Sequence, residues 1–172
     1  MTKLQHDFLQ YLISSEPTER AKALLKRTFE QFVVDHGWWY EPAPLPPDVA
    51  FGSERECHGN AAKLASHEET LFYCEGYALF KSGMHPTLHA WVTDGQGHAF
   101  DNTWQQPGVA YAGVPFKSLF VTMTTLKTHA FVSLIDDYVN GWPLLKELGD
   151  RPDKWLEQRG RGIARLTEGS RE

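Results

Sequence analysis

The stretch WWYEPAPLPPDVAFGS, residues 38–53, carries four prolines in sixteen positions and constrains this chain more than any other feature. Proline lacks an amide donor and fixes φ, so the stretch excludes a helix and a central strand and predicts an extended loop across the surface. It separates two kinds of pattern. Before it, Leu4, Phe8, Leu9, Tyr11 and Leu12 give a short amphipathic helix over 3–13. A second helix follows, with Ala21, Leu24, Leu25, Phe29, Phe32 and Val33 on one face, Pro17 inside its start and Gly37 past its end.

After the proline run, Ala61, Ala62, Leu64 and Ala65 predict a helix near 58–66. An aromatic, β-type series then predicts strands near 71–80, 87–94, 98–104 and 119–125. DGQG at 94–97 turns the chain between the second and third strands, and YAGVPF at 111–116 bends it into the last. From Ala130 a helical period returns, interrupted by Gly141 and Pro143. The expected fold is α+β: a cysteine-bearing helix on an antiparallel sheet of three to five strands, with N-terminal and C-terminal helices. Residues 1–150 form one domain with core motifs at 51–116, and 151–172 form a polar, loosely held tail.

The 172 residues suit one domain with a real core. A net charge of −5 argues against a nucleic-acid or anionic-membrane partner. No run approaches a spanning helix and no signal-peptide pattern opens the chain, so a cytoplasmic protein is expected, with Cys57 and Cys74 as thiols.

Three polar positions stand in an order that carries chemistry. Cys57 opens a helix, His89 sits within a strand in LHAWVTD, and Asp101 and Asn102 follow in HAFDNTW. A cysteine nucleophile needs a thiolate, a base for its proton and a group that holds the imidazole tautomer. The helix N-terminus favours the thiolate, and the Cys57 N–H is placed to stabilise an oxyanion. A three-residue loop at 95–97 sets Trp91 opposite Asp101 and brings His89 within diagonal reach of that carboxylate. A two-residue loop instead pairs His89 with Asn102, so Asp101 is the expected third member and Asn102 the alternative.

The segments ECHGNAAKLA, YCEGYALF and HAWVTDGQGHAFDNTW resemble the papain-like and transglutaminase-like cysteine enzymes, small bacterial and phage members above all. The resemblance covers about residues 51–116. It implies Cys57 as nucleophile, His89 as base and Asp101 as orienting acid, with no cofactor and no metal. The implied substrates are a protein, a peptide or a small amide. Glu56 stands where transglutaminases commonly carry a small residue, and Asn102 replaces the usual proline after the acid.

Around this set, Asn60 and the 51–55 loop are candidate second oxyanion donors. Glu75 lines the pocket or is an edge-strand charge. Trp91 and Trp104, with Trp38 and Trp39, are candidates for a substrate wall, against a core role for strand aromatics. His58 follows Cys57 directly, and neighbours on a helix diverge, so it is expected to face solvent or substrate rather than the thiol. Cys74, flanked by aromatics, is expected to be structural. Arg159, Arg161 and Arg165 read as a solvated run. Two rival readings stay open: an inert binding module using the 38–47 loop, and a metal-dependent hydrolase using the same side chains. Oligomeric state is open too.

Overall fold

The computed structural model describes residues 2–81, 85–157 and 163. Among the described residues it is an α+β domain with five α-helices and a five-stranded sheet. The helices are α1 (Lys3–Ser14), α2 (Glu19–Leu24), α3 (Phe29–His36), α4 (Cys57–His67) and α5 (Ser118–Thr128). The strands are β1 (Trp38–Ala43), β2 (Phe72–Leu79), β3 (Thr87–Thr93), β4 (His98–Phe100) and β5 (Ala110–Pro115). They close into a barrel in the order β1-β4-β3-β2-β5, with β1 parallel to β4 and every other pair antiparallel. The expected antiparallel sheet is thus corrected to a closed barrel with one parallel pair. No helix among the described residues is long and apolar enough to cross a membrane.

The first six residues of the proline-rich stretch supply the strand that closes the barrel, which overturns the surface-loop assignment for 38–43, while 44–53 form neither helix nor strand. Trp38, Trp39 and Tyr40 pair with Gly113, Ala112 and Tyr111, and Glu41, Pro42 and Ala43 pair with His98, Ala99 and Phe100. Pro42 is tolerated for a local reason. The Glu41 N–H donates to the Gly97 carbonyl on the β4 side (2.9 Å). Successive amides alternate sides, so the donor missing at Pro42 is on the β5 side, where pairing has ended at Tyr40.

Small residues make so narrow a barrel possible. Gly76 and Gly113 face each other across β2 and β5. A Cβ at Gly76 would lie 2.3 Å from the Ala112 oxygen, and one at Gly113 would lie 2.5 Å from the Trp91 ring. The indole of Trp91, fully buried, fills the space between Tyr40 and Tyr111, with ring centroids 5.9 Å and 5.0 Å away. The helix α4 packs against β2 and β3, with Ala61 and Ala62 buried.

Other expectations change for physical reasons. The single second helix is two, because Thr28 forms a capping box with Gln31 and starts α3 afresh. Residues 111–115 belong to β5 rather than to a bend, and 119–125 lie in α5 rather than in a strand. Once the barrel is closed it has no edge left to accept another strand. Only Val121 of α5 is buried, and Leu119 and Met123 are exposed. Residues 130–146 form turns rather than a helix, since the amides of Leu134 and Ile135 bond to Glu75 instead of to carbonyls four residues back. Of the expected tail, Trp155, Leu156 and Ile163 are buried. Leu156 bridges to Phe116, and the Ile163 amide donates to Gly37 (2.8 Å). Arg159, Arg161 and Arg165 lie outside the described residues.

Candidate active site

The site is built where the N-terminus of α4 meets the ends of β2 and β3. Cys57 is the first residue of α4 and half-buried. Arg55 precedes it with φ +64°, a left-handed conformation that non-glycine residues seldom adopt, and this turns the chain sharply into the helix. No side chain caps α4; its first internal bond runs from the Asn60 N–H to the Glu56 carbonyl (2.9 Å). The amide of Cys57 itself therefore belongs to the unbonded first turn.

The 94–98 hairpin fixes the imidazole and the carboxylate. Asp94 Oδ1 accepts from the amides of Gln96 (2.9 Å) and His98 (3.0 Å), and Gly97 has φ +94°. Val92 pairs with Phe100 and Thr93 with Ala99, the register of a three-residue loop. His89 and Asp101 meet accordingly: His89 Nε2 lies 2.7 Å from Asp101 Oδ2, and both side chains are buried. Asp101 Oδ2 also accepts from the Tyr111 hydroxyl (2.9 Å). Its Oδ1 accepts from the amides of Thr103 (2.9 Å) and Trp104 (3.1 Å). Burial pushes the Asp101 carboxyl up, but His89 and these amides outweigh it and hold the group below its ordinary range. The His89 ring stacks on Trp104, 4.0 Å between centroids, and with Nε2 engaged by Asp101 its Nδ1 is the nitrogen left for the thiol.

The thiol answers to two imidazoles. Burial opposes the thiolate, yet hydrogen bonding and charge from His58 and His89 outweigh it and bring Cys57 down to about 6. For His89, burial disfavours the cation, while Asp101 and Cys57 favour it more and raise the pKa. The expectation that His58 faces away from the thiol is corrected, since its ring interacts with Cys57 from within the same helix turn.

Behind His58 runs a polar line that sequence reasoning did not connect. His58 Nδ1 lies 2.9 Å from the Tyr73 oxygen, and the Tyr73 hydroxyl donates to Glu75 Oε2 (2.9 Å). Glu75 is 1% exposed and sits on a strand with neighbours on both sides, so it is no edge charge. Its oxygens also accept from the Ser133 hydroxyl and the amides of Leu134 (2.8 Å) and Ile135 (3.3 Å). The signal available in the sequence was YCEG itself, where Tyr73 and Glu75 share a strand face.

Two candidates go elsewhere. Asn102 does not reach His89; its Nδ2 donates to the Asn60 carbonyl (3.1 Å), so the alternative third member is set aside by position. Asn60 is committed as well. Its Nδ2 donates to the Ser53 carbonyl (2.8 Å) and the Thr103 hydroxyl (2.9 Å), and its Oδ1 accepts from the Ser53 amide (3.2 Å). It ties the 51–55 loop to α4 and has no N–H left for an oxyanion. Of the four tryptophans considered for a substrate wall, Trp38 and Trp91 are core. Trp39 packs edge-on to Phe8, and Trp104 borders a groove of about 510 Å³ with Glu54, Arg55, Phe80 and Gln105. Cys74 is buried against Tyr40, and burial pushes its thiol well up. Among the described residues no group of three His, Cys, Asp or Glu side chains is placed to hold a metal ion.

No family model, curated protein or solved structure matches this chain.

Proposed function

We propose that the protein is a cysteine-dependent hydrolase or acyltransferase acting on an amide, isopeptide or thioester, with a core of the papain-like or transglutaminase-like kind. The observation that carries this reading is the His89–Asp101 contact of 2.7 Å beside a thiol whose pKa is brought down to about 6. A solitary structural thiol has no need of an imidazole fixed by a buried carboxylate.

In this reading the Cys57 thiolate attacks the acyl carbon, forming the C–S bond as the carbonyl π pair moves to oxygen. Collapse breaks the bond to the leaving group, which takes its proton from the His89 imidazolium. The neutral His89 then draws a proton from water or an amine as that molecule attacks the thioester. Collapse of the second intermediate expels the Cys57 thiolate and restores the ion pair. Asp101 keeps Nε2 protonated and Nδ1 toward the thiol throughout. The groove beside Trp104 is the entry for substrate.

The test is iodoacetamide alkylation against pH, resolved by mass spectrometry to Cys57 and Cys74, in wild type and His89→Ala. Cys57 is expected to react as a thiolate from about pH 6 upward, with its midpoint raised in His89→Ala and Cys74 silent in both. A Cys57 that behaves as a free thiol and ignores His89 sinks the reading.

A further inference from the structure

We propose that His58 is a second catalytic imidazole, held as a cation by the Tyr73–Glu75 line, that donates a hydrogen bond to the Cys57 thiolate and then to the substrate oxyanion. The inference rests on the cysteine-enzyme reading above and supplies the donor that reading lacks. The Cys57 amide is one oxyanion donor, and the side chain best placed by sequence, Asn60, has both its amide hydrogens committed.

The geometry sets the direction of each bond. Tyr73 has one hydroxyl proton and gives it to Glu75, so the Tyr73 oxygen faces His58 as an acceptor and His58 Nδ1 must carry hydrogen. The carboxyl of Glu75 lies 3.8 Å from that nitrogen, in a setting where water does not screen it. Nδ1 being engaged, Nε2 is the ring atom left for the sulfur, and with the ring charged it too carries hydrogen. Glu75 is itself fixed by the Ser133 hydroxyl and two backbone amides, so the anion cannot turn away.

The charged and titratable groups facing His58 are Glu75 and Tyr73 from β2, Cys57 from its own helix, and Asp136 from the 130–146 segment. Burial opposes the cation, but Glu75, the thiol and Asp136 favour it and bring His58 up to about 9. When the thiolate becomes a neutral thioester its own contribution is lost, but Glu75 and Asp136 continue to favour the charged ring. At that moment its N–H loses its anionic acceptor on sulfur and has a new one, the oxyanion on the carbon bonded to that sulfur. His89 shuttles protons, whereas His58 holds one.

Two reagents separate the roles. Iodoacetamide reacts with Cys57 by displacement at carbon and develops no oxyanion, whereas p-nitrophenyl acetate acylates it through one. Both rates are measured at pH 8 on the full chain, wild type and His58→Ala, and corrected for thiolate fraction from each protein's alkylation profile. Acylation per thiolate is expected to fall at least tenfold in His58→Ala. Alkylation per thiolate is expected to stay within about threefold, with its midpoint raised by about one pH unit or more. In wild type, NMR titration of the His58 ring is expected to give a midpoint near 9. Tyr73→Phe, which removes the bridging oxygen and leaves Glu75 its bonds from Ser133, Leu134 and Ile135, is expected to lower it. A His58 midpoint near the ordinary 6.5, or an unchanged ratio of acylation to alkylation, overturns the proposal even if His89→Ala behaves as the catalytic reading requires. An ordinary Cys57 in wild type defeats that underlying reading first, and the proposal with it.

Discussion

Asp101→Asn is a near-isosteric change whose effect follows from four hydrogen bonds. The carboxylate accepts from His89 Nε2 and Tyr111 on one oxygen and from the amides of Thr103 and Trp104 on the other. An asparagine oxygen keeps the two backbone amides, which places its NH₂ against two groups that now donate. Tyr111 can rotate its hydroxyl, but His89 can accept only by losing the proton at Nε2. The proton then sits on Nδ1, toward Cys57, and the ring cannot take another from the thiol. A charge-assisted bond of this kind is worth about 1.5–3 kcal/mol. Its loss lowers the His89 pKa. The Cys57 alkylation midpoint is expected to rise from about 6 by about one unit, because His58 still supports the thiolate. Acylation by p-nitrophenyl acetate at pH 7 is expected to fall by a factor of about a hundred or more. Urea denaturation, followed by circular dichroism, is expected to show a folded protein less stable by about 2 kcal/mol. A folded variant with the wild-type alkylation midpoint would refute the reasoning, since Asp101 would then have no hold on the thiol through His89.

Gly76→Ala places a Cβ 2.3 Å from the Ala112 oxygen and 2.5 Å from the Gly113 Cα, both backbone atoms that cannot swing aside. A loss of about 3 kcal/mol or more is expected from urea midpoints. Asn60→Ala removes three hydrogen bonds between α4, Ser53 and Thr103, costing about 2–3 kcal/mol in the same assay, and hydrogen exchange should show faster opening at the Ser53 amide. Cys74→Ala is expected to leave the pH profile of Cys57 alkylation unchanged, as the Cys74 thiol is fully buried against Tyr40. His58 has a folded pKa of about 9, above its unfolded value of about 6.5. Its charge therefore stabilises the fold fully below about pH 6.5, and that contribution is lost as pH rises through 9. Thermal midpoints of wild type and His58→Gln should thus differ most in the lower range and converge above pH 9.

What the chain discloses by itself follows the reach of each interaction. Alternating aromatics and DGQG gave β2, β3 and β4, because pleat and turn are local. The three-residue register then brought His89 to Asp101 rather than to Asn102. The strand β1 was hidden because Pro42 is forbidden only where a neighbour wants its donor, and that depends on where β5 stops. The strand β5, AYAGVP, has small residues because it faces Gly76 and the Trp91 indole, a constraint that exists only after closure. α5 carries β-branched residues that favour a strand locally, yet the closed barrel offers no edge. His58 was misjudged by treating neighbours on a helix as divergent. In the first turn, where Cys57 has no preceding helical residue, both side chains reach the same space in front of β2 and β3.

The two imidazoles differ in what stands behind them, and in the proposed mechanism that difference divides the labour. His89 is backed by Asp101, a carboxylate that touches the ring directly and is matched to a proton that must come and go. His58 is backed by Glu75 at one remove, through a tyrosine hydroxyl whose proton is committed to the carboxylate. The line gives His58 an acceptor on Nδ1 and, in Glu75, a buried carboxyl that favours the charged ring, while the Tyr73 hydroxyl is itself pushed well above its ordinary pKa, first by burial and then by Glu75. A thiol between one mobile and one fixed cation can be ionised without spending the proton its leaving group will need. If the fixed cation were removed, His89 would have to stabilise the thiolate and the oxyanion in turn while also delivering its proton. The conflict should be felt in the acylation rate per thiolate, over and above the raised midpoint of ionisation.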